Sequence, residues 1–170
     1  MNIISRNTLS SLGSPLTYHR YAMTILDLPA IGITDEQICI RVLSADKPTI
    51  NNEKTTIEQT GFRISYAGKD EFSDSLSFSF LSTGDGETVN ALMNWKEFCN
   101  STMMGGSVNP ANYKSTILLA DLAYDNETII RTYTVYGCFP QEISFGDGYG
   151  TSVEAQTCNV TMSMDYFIVS

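Results

Sequence analysis

The sequence predicts a mainly β protein: a β-sandwich or open barrel of antiparallel strands with one α-helix packed against it. Three observations carry that prediction. Ser73–Leu81 alternates strictly, with Leu76, Phe78 and Phe80 on one side and Ser75, Ser77 and Ser79 on the other. Thr128–Val169 is rich in Thr and aromatic residues and reads as two alternating segments flanking a break at Gly137-Cys-Phe-Pro140, a long C-terminal hairpin. Helical spacing is clear only over Thr88–Cys99, where Leu92, Trp95, Phe98 and Cys99 recur on one face.

The elements follow in order. Residues 1–16 are polar, contain a Gly13-Ser14-Pro15 turn and read as a flexible arm or an extension that orders on assembly. Tyr18–Leu26 alternates, with Tyr21, Met23 and Ile25 sharing a face, until Leu28-Pro-Ala-Ile-Gly32 breaks it. Gln37–Leu43 reads as a second strand. Residues 44–56 form a polar stretch holding Asp46, Lys47, Pro48, Asn51, Asn52, Glu53 and Lys54. That is long for a connection inside a compact domain, and long connections are functional or mobile. Ile57–Ala67 reads as a third strand region, ended by a turn at Gly68-Lys-Asp70. After Ser73–Leu81 come a Gly84-Asp-Gly86 turn and the helix, with Thr88 as its cap. A Gly-rich loop over Met103–Asn109 ends the helix. Tyr113–Ala123 is a strand and Asp125-Asn126 a turn before the hairpin. There is no internal repeat, and the whole chain, 1–170, reads as a single domain long enough to bury a core.

Composition excludes several classes of function. The chain is 42% hydrophobic and 17% charged, with a net charge of −9. After Lys114 the acids Asp121, Asp125, Glu127, Glu142, Asp147, Glu154 and Asp165 face Arg131 alone. Without clustered Lys and Arg there is no tight grip on a nucleic-acid backbone. The acidity serves solubility, or a surface that repels another polyanion. Cys39, Cys99, Cys138 and Cys158 form no Cys-x-x-Cys pair, and His19 is the single histidine, so no metal set is indicated and the thiols read as small buried hydrophobes. The start, Met-Asn-Ile-Ile-Ser-Arg-Asn7, has no apolar core of a signal peptide, and no run reaches membrane-spanning length. The Asn100, Asn126 and Asn159 glycosylation patterns read as chance.

The inventory for catalysis is equally poor. No Gly-x-Ser-x-Gly elbow accompanies His19, and no Gly-rich loop precedes a Lys-Ser/Thr pair. Asp35-Glu36 and Asp70-Glu71 sit in polar, turn-like segments. Gly84-Asp-Gly86 and Gly146-Asp-Gly-Tyr-Gly150 lack the spaced carboxylates of a calcium loop. Trp95 reads as core. The expectation is no catalytic residue, no cofactor and no metal, hence no enzyme.

Four segments taken together resemble a known family. They are Gly61-Phe62-Arg63-Ile64-Ser65-Tyr66-Ala67-Gly68 followed by Phe72 and Asp74; Asn94-Trp95-Lys96-Glu97-Phe98 at the helix end; Asn109-Pro-Ala-Asn-Tyr113-Lys114-Ser115 leading into Ile117–Ala120; and Tyr136-Gly137-Cys138-Phe139-Pro140 followed by Val160-Thr-Met-Ser-Met164-Asp165-Tyr166. In order and spacing, from about Tyr18 to Phe167, the chain resembles the tail tube protein of contractile-tailed bacteriophages, a family related to type VI secretion and contractile injection tube proteins. It departs from the family's pattern in its first strand, which lacks a Phe-x-Val-x-Ile pattern, and in its N-terminal arm.

The resemblance implies a structural subunit. Its hexameric rings would stack into a hollow tube inside a contractile sheath and form the conduit for DNA ejection. The implied partners are further copies of the chain, the sheath protein, and baseplate tube-initiator and tail terminator proteins. DNA would pass without specific binding and no membrane would be bound; the setting would be the virion tail, and host cytoplasm during assembly. Alternatives are a baseplate tube initiator, the tube of a non-phage injection device, and a β-sandwich binding module whose cleft would use Tyr124, Tyr133, Tyr136 and Tyr149.

Elementary physics fits the tube role. Free sheet edges are an aggregation hazard unless paired, and pairing around a ring removes them. A contact that closes gives a ring, and a second, axial contact that does not close gives a filament. The candidate ring-to-ring contact is the polar stretch with Asp46, Lys47, Pro48, Asn51, Asn52, Glu53 and Lys54, with the N-terminal arm as the other candidate. Ser75, Ser77 and Ser79, with the polar face of Asn159–Asp165, are candidate lumen-facing positions.

Overall fold

The computed structural model describes residues 20–100, 108–146 and 155–170. The expected arm over 1–16, His19, most of the Gly-rich loop and the Gly146 loop beyond its first residue lie outside them. The described strands are β1 (Tyr21–Leu26), β2 (Val42–Ala45), β3 (Ile50–Gln59), β4 (Phe62–Phe72), β5 (Ser75–Leu81), β6 (Ser115–Leu122), β7 (Ile129–Ser144), β8 (Thr157–Ser163) and β9 (Tyr166–Val169). Two helices join them, α1 (Asp35–Cys39) and α2 (Glu87–Cys99).

Seven strands form one antiparallel sheet in the order β1-β6-β7-β8-β5-β2, with β9 also paired to β7. The N-terminal half of β7 pairs with β6 and β9, and its C-terminal half pairs with β8. The sheet therefore turns over on itself at the middle of β7. Its two end strands are bridged where the Tyr21 hydroxyl donates to the Val42 carbonyl at 3.4 Å. The result is an open barrel, one of the two antiparallel forms expected from the sequence.

Alternation fixes which faces meet inside. Met23, Ile25, Ile117, Leu119, Val135 and Phe167 come from one half of the sheet; Leu76, Phe78, Phe80, Cys158, Val160 and Met162 come from the other. Each of these side chains is buried, and a core of this kind supplies most of the drive to fold. α2 packs against β7 and adds Ala91, Leu92 and Trp95. Trp95 is fully buried, and its indole Nε1 donates to the Tyr113 carbonyl at 2.9 Å, so its one polar atom is satisfied. Phe98, expected on the same stripe, is 40% exposed. The helix cap also differs from expectation. Gly86, at φ 72°, holds the cap position, Asp85 Oδ1 accepts from the Glu87 amide, and Thr88 is buried in the first turn.

Three further expectations are corrected. Gln37–Leu43 is not a strand: α1 occupies Asp35–Cys39 before β2 begins. Its capping box is complete, with Thr34 Oγ1 accepting from the Gln37 amide at 3.3 Å and Gln37 Oε1 accepting from the Thr34 amide at 3.1 Å. Gly68-Lys-Asp70 is not a turn but lies inside β4. Gly137-Cys-Phe-Pro140 is not a break either. β7 runs through it, and the sheet turns over there because Gly137 takes φ 72°. Pro140 fits because it lies beside a bulge, where a missing N–H costs no ladder bond.

The Asp125-Asn126 turn forms as expected. Asp125 Oδ1 accepts from the amides of Glu127 at 3.0 Å and Thr128 at 2.9 Å, and Asn126 takes φ 59°. The Thr128 hydroxyl, then these amides, hold the Asp125 carboxyl down to about 2. A depressed carboxyl contributes stability above its unfolded pKa, lost as pH falls through the folded value. An NMR titration of the Asp125 carboxyl carbon should therefore show a midpoint near 2, with the Thr128 amide shifting in step. A midpoint in the ordinary carboxylate range would show that the turn is not formed in solution.

All four thiols are free. Burial pushes Cys138 up to about 12 and Cys99 to about 11, so both stay protonated and act as apolar filling.

Candidate assembly surface

The polar stretch at 44–56 is not a loop. It comprises the end of β2, a short link over 46–49, and most of β3. β3 and β4 form their own two-stranded antiparallel sheet, closed by Thr60 at φ 45° and Gly61 at φ 81°. Positive φ at both central residues is the type I′ turn, which matches the twist of paired strands. Every residue of β4 is exposed, and so is every residue of β3 except Thr56.

Register sorts the outer part of this hairpin into two unlike faces. Thr55 pairs with Tyr66, Ile57 with Ile64 and Gln59 with Phe62; these share one face. Lys54 with Ala67, Thr56 with Ser65 and Glu58 with Arg63 form the other, where Arg63 and Glu58 make an ion pair at 3.4 Å. Phe62 is 76% exposed, and Ile57, Ile64 and Tyr66 are each more than half exposed. A two-stranded hairpin is marginal in water, and an exposed apolar face of this kind is a candidate contact surface.

The candidate contact residues divide between blade and root. Asn51, Asn52, Glu53 and Lys54 lie on the exposed blade. The other three are engaged within their own chain. The Asp46 amide donates to the Ser77 carbonyl at 2.9 Å, Pro48 is buried, and Lys47 Nζ lies 2.6 Å from Asp121 Oδ1. The Ser73 amide closes the root by donating to the Thr49 carbonyl at 2.9 Å.

Ser75, Ser77 and Ser79 stand on the outer face of β5, and the structure brings them beside the second candidate polar face. Ser75 pairs with Ser163, Ser77 with Thr161 and Ser79 with Asn159. On the neighbouring stretch of β7, Glu142 pairs with Thr161 and Ser144 with Asn159. The face they make is hydroxyl-rich, with one carboxylate and neither Lys nor Arg in these paired stretches. Each strand's polarity is visible in its sequence pattern; only the register reveals that the strands are neighbours.

The tyrosines weighed for a binding cleft do not converge. Tyr124 lies under the Arg20 guanidinium at 4.3 Å, Tyr133 donates to Asp121, and Tyr136 stacks on Tyr166 at 4.8 Å. Tyr149 lies outside the described residues. Among the described residues, no group of His, Cys, Asp or Glu is arranged to hold a metal ion, and no helix is long and apolar enough to cross a membrane.

No protein-family model matches the chain. It is 22% identical over 142 residues to a tail tube protein of Serratia phage KSP90, covering 81% of this chain and 78% of that one. In structure it is similar to a chain of the sheath–tube complex of an extracellular contractile injection system in its extended state, with TM-score 0.64, 15% identity and 98% of both chains covered. A chain of that system's sheath/tube terminator gives TM-score 0.67 at 16% identity, covering 94% of this chain and 99% of that one. A chain of the tube-terminating cap of the anti-feeding prophage gives 0.66 at 16% identity, over 93% and 92%. The resemblance carried by the sequence motifs is thus met twice, in sequence by a phage tail tube protein and in fold by chains of contractile injection machines.

Proposed function

We propose that this chain is a structural, non-catalytic subunit of a bacteriophage tail tube. It forms hexameric rings that stack into a hollow tube within a contractile sheath, through which DNA leaves the virion. The observation that carries this reading is the β3–β4 hairpin, an amphipathic blade standing clear of a folded barrel. Its apolar face is best covered by a second copy, because a contact between unlike surfaces of identical chains propagates into a filament. The blade residues Asn51, Asn52, Glu53 and Lys54 then belong to the contact between rings. The open barrel leaves β1, β2 and β9 as edge strands, and lateral pairing of such edges closes a ring.

The lumen assignment is the hydroxyl-rich face with Ser75, Ser77 and Ser79. A wall without cations, on a chain of net charge −9, lets a polyanion pass without counterion-release binding. The sheath protein, the baseplate tube initiator and the tail terminator are the further partners in this reading. The virion tail is its place, reached through assembly in host cytoplasm. The tube of a non-phage device rests on the same geometry, and the sequence relative favours the phage role.

Negative-stain electron microscopy across a concentration series tests the reading. Rings or hollow tubes are the expected result. A protein that stays monomeric at high concentration, even when seeded with purified tail baseplates, would rule it out.

A further inference from the structure

We propose that Lys47, Asp121 and Tyr133 form a positioning cluster that sets the direction in which the β3–β4 hairpin leaves the barrel, and through it the rate at which subunits add to one another. The second half of this statement rests on the self-assembly reading above; the first does not.

The hairpin's blade is exposed along its length, so its orientation must be set at its root. Small errors there are magnified. A ten-residue strand extends about 33 Å, so a tilt of about 10° at the root moves the tip by about 6 Å. That is more than a side-chain contact tolerates.

Three sets of contacts hold the root. Asp46 and the Thr49–Ser73 link tie it into β5 and its flank. On the returning side, the Phe72 ring meets Phe167 of β9 edge-on at 5.4 Å. On the outgoing side, the tie is Lys47. Its amine reaches Asp121 Oδ1 at 2.6 Å and lies 5.6 Å above the Tyr133 ring. The Tyr133 hydroxyl donates to Asp121 Oδ2 at 3.4 Å, and Arg131 Nη1 donates to that hydroxyl at 3.3 Å.

The asymmetry of exposure shows which partner is fixed. The Asp121 side chain is 7% exposed on β6, whereas that of Lys47 is 51% exposed on the link. A buried carboxylate demands a cation and hydrogen-bond donors. Among the described ion pairs, Lys47 supplies the charge. If the link lifted, the carboxylate would lose its direct ion pair and keep only the longer-range attraction of its cross-strand partner Arg131 and the Tyr133 hydroxyl. Asp121 thus acts as a fixed socket in the barrel wall, and the link is held down on it.

The test uses the full-length chain. Lys47→Met alone leaves a buried carboxylate without its direct ion pair and weakens folding for that reason, so the informative variant is Lys47→Met with Asp121→Asn. It removes the tie and leaves no orphaned charge. Hydrogen exchange by mass spectrometry should show lost protection over 46–49 and 72–74, with the β5–β8 core unchanged. Growth from wild-type tube seeds should slow by about tenfold, as expected if the docking-competent orientation falls to about a tenth of the population. Lys47→Arg should restore most of the rate.

Unchanged protection at the root would overturn the positioning cluster, whether or not the wild-type protein forms tubes. So would slower growth accompanied by a matching loss of global stability, or wild-type growth by the double variant. Failure of the wild-type protein to form tubes under any condition would count against the assembly reading instead, and the exchange data would still decide the cluster.

Discussion

Joining Lys54 directly to Ala67 through an Asn-Gly turn should leave a folded barrel that forms no tubes. These two residues are cross-strand partners, so the shortened hairpin keeps its register and its root. The excised segment, Thr55 to Tyr66, is exposed throughout except at Thr56. Burying nothing, it contributes little to stability, and the melting temperature should change by no more than about 3 °C. Loss of the apolar face formed by Ile57, Phe62, Ile64 and Tyr66 should abolish axial growth. A gentler version combines Ile57→Lys with Ile64→Glu at the central cross-strand pair. Opposite charges keep the hairpin paired while making its face polar. Electron microscopy reads both variants, and full-length tubes from either would overturn the hairpin's role in stacking.

Gly137→Ala should be among the most damaging single substitutions in the chain, with a destabilisation of about 2–4 kcal/mol. Two separate causes add. Gly137 holds φ 72°, where any side chain strains the backbone. A Cβ built there would overlap the Asp165 carboxyl, Oδ2 most severely and then Cγ. Asp165 has nowhere easy to go. Its amide donates to the Tyr136 carbonyl at 2.9 Å, and Lys114 Nζ holds both its oxygens at 2.7 and 2.8 Å. Urea denaturation of the variant measures the loss. Adding Asp165→Gly to Gly137→Ala should recover part of it by removing the clash while leaving the backbone strain. Full stability in Gly137→Ala would mean that β7 does not turn through this residue.

The sequence made some parts of this structure legible and hid others, for physical reasons. Where one face is buried and the other wet, alternation is unambiguous, and Leu76, Phe78 and Phe80 lie inward as read. The α2 stripe was equally plain because Leu92 and Trp95 face the core through one helical side. The hairpin was hidden because its blade has no buried face. Asn51, Asn52, Glu53 and Lys54 look like loop residues, and the apolar partners Ile57 and Ile64 sit on opposite sides of an unrecognised Thr60-Gly61 turn, so they read as one strand. The candidate contact residues were therefore read as a loop, whereas Asn51, Asn52, Glu53 and Lys54 stand on a strand of the hairpin. α1 did leave a signal, the Thr34-x-x-Gln37 capping box before the buried Ile38, which the apolar run Ile38–Leu43 outweighed. Gly137 and Pro140 carry the usual marks of a break, and only tertiary pairing turns them into a bend within one strand.

That bend has a mechanical meaning. β7 is 16 residues long and belongs to both halves of the sheet, so one covalent strand is stitched by backbone hydrogen bonds to β6 and β9 at one end and to β8 at the other. Two separate plates held only by greasy contacts would slip past one another under shear, since such contacts resist sliding weakly. Here slip would require tearing a ladder. A load entering the subunit at β1 crosses β6 to β7, follows that one covalent strand through the bend, and leaves through β8 and β5 to β2. In the tube proposed above, stiffness within the subunit would leave the seams between subunits as the places where deformation collects.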